Sequence, residues 1–239
     1  MRQNKFKRLT MNYPLILSLL LFEFGLVVTF LPISSAPAFG QNCSNGYTNE
    51  NLEENAPFQH VGTGRSDRHL DLNWTIPTDF TEIIHFSGKA YQLAEHEGID
   101  FIHSHQSVSQ VAVRSAADGK VVYVRRGCPQ SNPFEPNTEK RGCGGYWGNH
   151  IVILHPNGLF TRYAHLSPDS IQVHVGQQIH QEDEIAEMGN SGLSDVRHLH
   201  FELGVAIQLN PCEPAQSFKY IYDPATYLEW LDMLPSFTN

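Results

Sequence analysis

The sequence predicts a mainly β fold, an antiparallel sheet of hairpins with few short helices. Three observations predict it. From Leu72 onward, short runs rich in β-branched and aromatic residues alternate apolar and polar positions. Turn-forming residues break those runs at close intervals: Asp118-Gly119, Pro156-Asn157-Gly158, Gly176 and Gly189. Only "PATYLEWLDML", from Pro224 to Leu234, has a helical rhythm, with proline at a helix-start position.

In chain order, residues 1–40 have the layout of a secretory signal. A basic head (Arg2, Lys5, Lys7, Arg8) precedes an apolar run from Pro14 to Ile33, and small residues follow. Cleavage is expected after Ala36, Ala38 or Gly40. The rival reading is an uncleaved anchor, since the run is long enough to span a bilayer, although Glu23 near its middle is costly there. Either way the remainder is exported. Residues 41–71 are polar and read as an irregular lead-in. Within 72–212, "DGKVVYV" sets an Asp-Gly turn before a β-branched run, a hairpin signal. "NHIVILHPNGLFTRYAHL" reads as two strands about a Pro-Asn-Gly turn, and "RHLHFELGVAI" as another strand. Residues 213–239 form a C-terminal extension carrying the short helix.

Without residues 1–40, which hold four basic residues and Glu23, 12 Lys+Arg face 24 Asp+Glu, a formal charge of −12. That balance argues against nucleic acid as a partner, because phosphate contacts need clustered Lys and Arg. A membrane is a partner only if the N-terminal segment stays uncleaved. Four cysteines in an exported chain suggest two disulfides. Cys128–Cys143 would pinch the base of the polar loop "PQSNPFEPNTEKRG", a link worth ~3 kcal/mol by loop entropy. Cys43–Cys212 would tie the lead-in to the C-terminal segment. A four-cysteine zinc site is the weaker alternative, since no CxxC pair exists.

Three histidine clusters could carry chemistry. In "HEGID", His96 and Asp100 are a borderline-to-hard ligand pair, and Gly98 between them permits a tight backbone path. "RYAHLS" puts His165 near a strand end, where a lone histidine is most simply structural. In "RHLHFELG", strand alternation puts His198 and His200 on one face. They could be two ligands of one metal, or one ligand beside one proton-transfer group.

Taken in order, HEGID, "GGYWGNHIVILHPNG", "YAHLS", "MGNSG" and "HLHFEL" make the chain from about Trp74 to Ile207 resemble the lysostaphin/LytM-type zinc metallopeptidases. These enzymes cut peptide cross-links of bacterial cell walls. The resemblance implies a β-rich domain with a long open groove over 72–212. It implies one Zn²⁺ held by His96, Asp100 and His200, with His165 and His198 acting on the reacting centre. Three protein ligands leave one tetrahedral position for water, the arrangement of a catalytic site. Asn149 aligns with a Gly-Asn step of the family and, with Tyr163 and Arg197, is expected near substrate. The implied partners are peptidoglycan peptides, and a monomer is expected in the periplasm or the cell wall.

There are departures from the family pattern. "FIHSHQSVSQVAV" lacks the usual Gly-Thr/Ser-Pro step, and its His103 and His105 are either substitute ligands or, more simply, groove-rim residues. Arg197 stands where a small residue or proline often precedes the HxH motif. "CPQSNPFEPNTEKRGC" is an insertion expected to wall the groove. The rival function is a non-catalytic relative that activates other wall hydrolases; such regulators typically lack ligands or catalytic histidines, and all five positions are filled here. A biotinyl- or lipoyl-type carrier is disfavoured, because no lysine stands near Met188-Gly189.

Overall fold

The computed structural model describes residues 60–61, 72, 74–88, 96–205 and 217–228. Among them, eleven strands and one 3-10 turn are formed. The strands are β1 (His60–Val61), β2 (Glu82–Ile84), β3 (Ile99–Ile102), β4 (Ala112–Arg114), β5 (Gly119–Arg125) and β6 (Asn149–Leu154). They continue with β7 (Phe160–Leu166), β8 (Gln178–Ile179), β9 (Glu184–Glu187), β10 (His198–Val205) and β11 (Tyr220–Tyr222). The larger sheet runs β1-β11-β10-β7-β6-β5-β8, with β3 also paired to β10 and β2 to β3. Every pairing in it except β1 with β11 is antiparallel. β4 and β9 form a second, two-stranded sheet.

The turn chemistry explains most of this order. β6 and β7 pair about the turn carrying Pro156-Asn157-Gly158, where the Asn157 side chain accepts from the Leu159 amide. Asp118-Gly119 does not close a hairpin, contrary to the expectation from "DGKVVYV". β4 pairs with β9, and β5 pairs with β6 and β8, so the turn is a corner between sheets. Gly119 is needed there because a Cβ would lie 2.5 Å from Ile153 Cγ2 and 2.8 Å from Leu154 O. Of the stretch with helical rhythm from Pro224, the described part opens with a 3-10 turn, Pro224–Thr226, capped by the Asp223 side chain accepting from the Ala225 amide. Residues 229–239 lie outside the described residues.

β10 is the pivot of the sheet. Leu199, Phe201 and Leu203 face a core that includes Ile99, Phe101, Ile151, Ile153 and Tyr163. Burying each such side chain contributes about 1.5–3 kcal/mol. That apolar face holds the strand in place, so its other face can carry the polar residues His198, His200 and Glu202, all buried. The described residues include the disulfide Cys128–Cys143, with a Cα–Cα distance of 5.6 Å. The expected Cys43–Cys212 pair and the signal-like segment 1–40 lie outside the described residues.

Candidate metal centre

Strand register brings the ligand candidates together. His200 on β10 sits directly opposite Asp100 on β3, and its Nδ1 is 2.7 Å from Asp100 Oδ1. His96 reaches the same oxygen from the bend before β3, with Nε2 at 3.1 Å. Gly98 makes that bend possible. A Cβ there would meet Phe201 O at 2.4 Å and His200 Cε1 at 3.0 Å, so only glycine lets the chain pass so close to β10.

The ring tautomers follow from carbonyl and carboxylate partners. His96 Nδ1–H donates to the His85 carbonyl at 3.0 Å, and His200 Nε2–H donates to Glu202 Oε1 at 3.2 Å. Those bonds direct the other ring nitrogens, His96 Nε2 and His200 Nδ1, at Asp100. His96 Nε2 is buried, with Asp100 Oδ1 as its polar neighbour at 3.1 Å. His96, Asp100 and His200 thus present three donor atoms within 4.8 Å of one another, a group that could hold a metal ion.

The electrostatics keep Asp100 ionised at this point. Burial opposes ionisation of Asp100, but hydrogen bonds from His200 and His96 hold its carboxyl far below the usual carboxylate range. Burial alone would lower the pKa of His200, yet its bonds to Asp100 and Glu202 and the charge of both lift it to about 10. Glu202 is itself fixed. Arg162, directly across on β7, donates from Nη1 to both carboxylate oxygens at 2.9 and 3.0 Å, and both side chains are fully buried. The Arg162 guanidinium lies 3.8 Å from the Trp147 ring centroid and 4.7 Å from that of Phe218.

His165 reaches the site by a break in strand alternation. Tyr163 faces the core, so a regular strand would send His165 there too. A register shift between β6 and β7 accompanies φ of +58° at His165, and its ring lies 4.6 Å from that of His198. Left-handed backbone at a non-glycine residue is costly and typical of functional positions. His165 Nδ1–H donates to Ser191 O at 2.7 Å, and His198 Nδ1–H donates to Val196 O at 2.7 Å. Both Nε2 atoms are thereby left as proton acceptors. Burial lowers the pKa of both rings; the charges of His198 and His200 add to this at His165.

These five residues line one cleft of about 520 Å³. Tyr146 and Trp147 also line it, as do Ile84 and Leu193, which are 50% and 49% exposed. Glu97 and Asp195 are its other acidic residues.

Three residues expected near substrate are placed elsewhere. Asn149 is buried, accepting from the Cys128 amide and donating to the carbonyls of Cys128 and Leu166. Tyr163 is buried, its hydroxyl accepting from the Ala116 amide. Arg197 is 2% exposed and donates to the carbonyls of His103, His105 and Val108. It also donates to His103 Nδ1, so the stretch with His103 and His105 is organised around a buried guanidinium and neither histidine joins the metal group. Glu202, Ser191 and Ser194 escaped the sequence reading. For Glu202 the signal existed, since it continues the alternation of His198 and His200; for the serines none did.

Residues 94–211 match the model of peptidase family M23. The chain is 33% identical over 135 residues to the peptidoglycan DD-endopeptidase ShyA of Vibrio cholerae, covering 56% of this chain and 26% of that protein. It is 32% identical over 130 residues to the murein hydrolase activator NlpD of Salmonella dublin, covering 54% and 28%. Among solved structures, a zinc containing peptidase from Vibrio cholerae is 30% identical, covering 55% of this chain and 36% of that one, with a TM-score of 0.40. The chain spans about a quarter of the length of these curated relatives. Residues 94–211 of the chain therefore form a domain of peptidase family M23.

Proposed function

We propose that this protein is an exported zinc endopeptidase that hydrolyses peptide cross-links of bacterial peptidoglycan. The observation that carries the reading is the convergence of three ligand atoms and two acceptor imidazoles in one cleft. Borderline imidazole with one carboxylate suits a single Zn²⁺, and the buried His96 Nε2, converging with His200 Nδ1 on Asp100 Oδ1, fits that ion. Zinc, when bound, supplies Lewis acidity that polarises a carbonyl and acidifies water.

The chain's own residues do the rest. Asp100, His96 and His200 hold the charge, and Glu202 keeps the His200 ring in the tautomer that directs Nδ1 inward. With Nδ1–H committed to carbonyls, one of His165 and His198 can take the proton of the attacking water at Nε2 and later pass it to the leaving amine. Between those two transfers the protonated ring can donate to the developing oxyanion. Ile84, Leu193, Tyr146 and Trp147 offer apolar contact to the extended peptide.

A second reading, a non-catalytic activator of wall hydrolases, draws support from the similarity to NlpD. Metal analysis and mass spectrometry of digested peptidoglycan separate the two. The expected result is about one zinc per chain and new peptide ends. His200→Ala should lose the metal, whereas His198→Ala should keep it and lose hydrolysis by ~100-fold or more. A His198→Ala protein that digests walls at the normal rate removes the assigned role.

A further inference from the structure

We infer that the disulfide-closed loop Cys128–Cys143 is a positioning scaffold for His165 and His198, acting through residues 190–197 with Asn137 as its central contact. The inference rests on the proposal that those two imidazoles move protons.

Both rings are oriented by one stretch of chain. The carbonyls that accept from their Nδ1–H groups belong to Ser191 and Val196, and Ser194 Oγ lies 3.1 Å from His198 Nδ1 while donating to Val196 O. Residues 190–197 belong to no strand, so no ladder holds these carbonyls in place. Their shape must be imposed from outside.

Ser191 Oγ, which accepts from the Asn149 amide and donates to Leu166 O, and the Leu193 amide, which donates to Tyr146 O, tie two points to the sheet side; the loop holds the rest. Asn137 is fully buried, and its amide is fully used: Oδ1 accepts from the amides of Ser131 and Glu139, and Nδ2 donates to the carbonyls of Glu139 and Gly192. Its backbone N–H donates to Ser194 O at 2.9 Å. Farther along, Asn190 Nδ2 donates to Glu135 O at 2.7 Å and its amide to Gln130 Oε1 at 2.8 Å. At the other end the Arg197 amide donates to Pro133 O at 2.6 Å, and its guanidinium lies over the Phe134 ring. The loop therefore grips the stretch at both ends and in the middle. The disulfide closes the loop's own ends, which makes the grip stiff. The described hydrogen bonds and ion pairs of His96, Asp100 and His200 do not reach this loop, so its grip bears on the two imidazoles and not on the ligand set.

Two variants of the full chain test this: Asn137→Ala, and Cys128→Ser with Cys143→Ser. Zinc affinity is read by chelator competition, the imidazole tautomers by long-range proton–nitrogen correlation in the zinc-free protein, and kcat and KM on a wall preparation. The expected result is zinc affinity within about twofold of wild type. The single Nδ1–H tautomer of His165 and His198 should give way to a mixture, and kcat should fall by tenfold or more with KM moving less. Unchanged tautomers and kcat in both variants overturn the scaffold, as does a loss of zinc affinity that matches the loss of activity. If Asn137→Ala does not fold, the serine pair decides alone. Should wild type hydrolyse no wall preparation while the tautomers still respond, the scaffold stands and the catalytic reading falls.

Discussion

Gly98 shows how one missing side chain sets the metal group. A methyl at this position would press on the Phe201 carbonyl, a backbone atom that cannot yield without shifting β10. Gly98→Ala should destabilise the fold by about 1–3 kcal/mol and weaken zinc binding by roughly tenfold, measured by chelator competition on folded protein. Normal zinc affinity would mean that the bend has another way past the strand. The identity of this glycine was legible in "HEGID" as a permissive residue; what it permits was not, because Phe201 lies more than a hundred positions away. The same limit explains Asn149, Tyr163 and Arg197. Each stands beside a motif in sequence, but burial commits its polar atoms to local carbonyls and amides.

At the level of elements, β7 and β10 carry a buried relay from the cleft wall to the ligand, Trp147 to Arg162 to Glu202 to His200. Removing one charge of such a pair strands the other, whereas replacing both by apolar residues is often neutral or stabilising. Glu202→Gln alone should therefore cost about 3–5 kcal/mol in urea denaturation. Arg162→Met with Glu202→Leu should recover most of that, yet still lose ~10–100-fold in zinc affinity, because His200 Nε2–H has no acceptor. Recovery of both properties would show that Glu202 serves the fold alone. Strand existence was largely legible from alternation, as in β5, β7 and β10. Pairing was not: β4 and β5 flank a good hairpin turn but join different sheets, because the long-range β4–β9 ladder competes for the same edge.

Among the described residues, two sets of histidines oppose one another, and their signs predict stability against pH. In the metal-free protein His200 is raised to about 10, so its contribution is complete below an unfolded pKa of about 6.5 and is lost as pH rises toward 10. His150 is held down to about 3, by burial and then by the Arg162 charge, and His155 to about 4 by burial. Their contributions are complete above about 6.5 and are lost as pH falls, because the unfolded chain takes protons that the folded chain refuses, up to about 1.4 kcal/mol per pH unit for each group. The urea midpoint of metal-free protein should peak between about pH 6 and 7 and be lower at pH 4.5 and at pH 9.5. A monotonic profile would contradict the assigned environments.

The ladder between β3 and β10 adds a last consequence. Asp100 faces His200 only in the native pairing; sliding β3 by one residue would set Ile99 or Phe101 against that imidazole. An ion that needs both ligands therefore recognises one alignment of these strands and ignores its neighbours. In the folding chain, metal uptake would work as a proofreading step, retaining molecules whose sheet has closed in the correct frame.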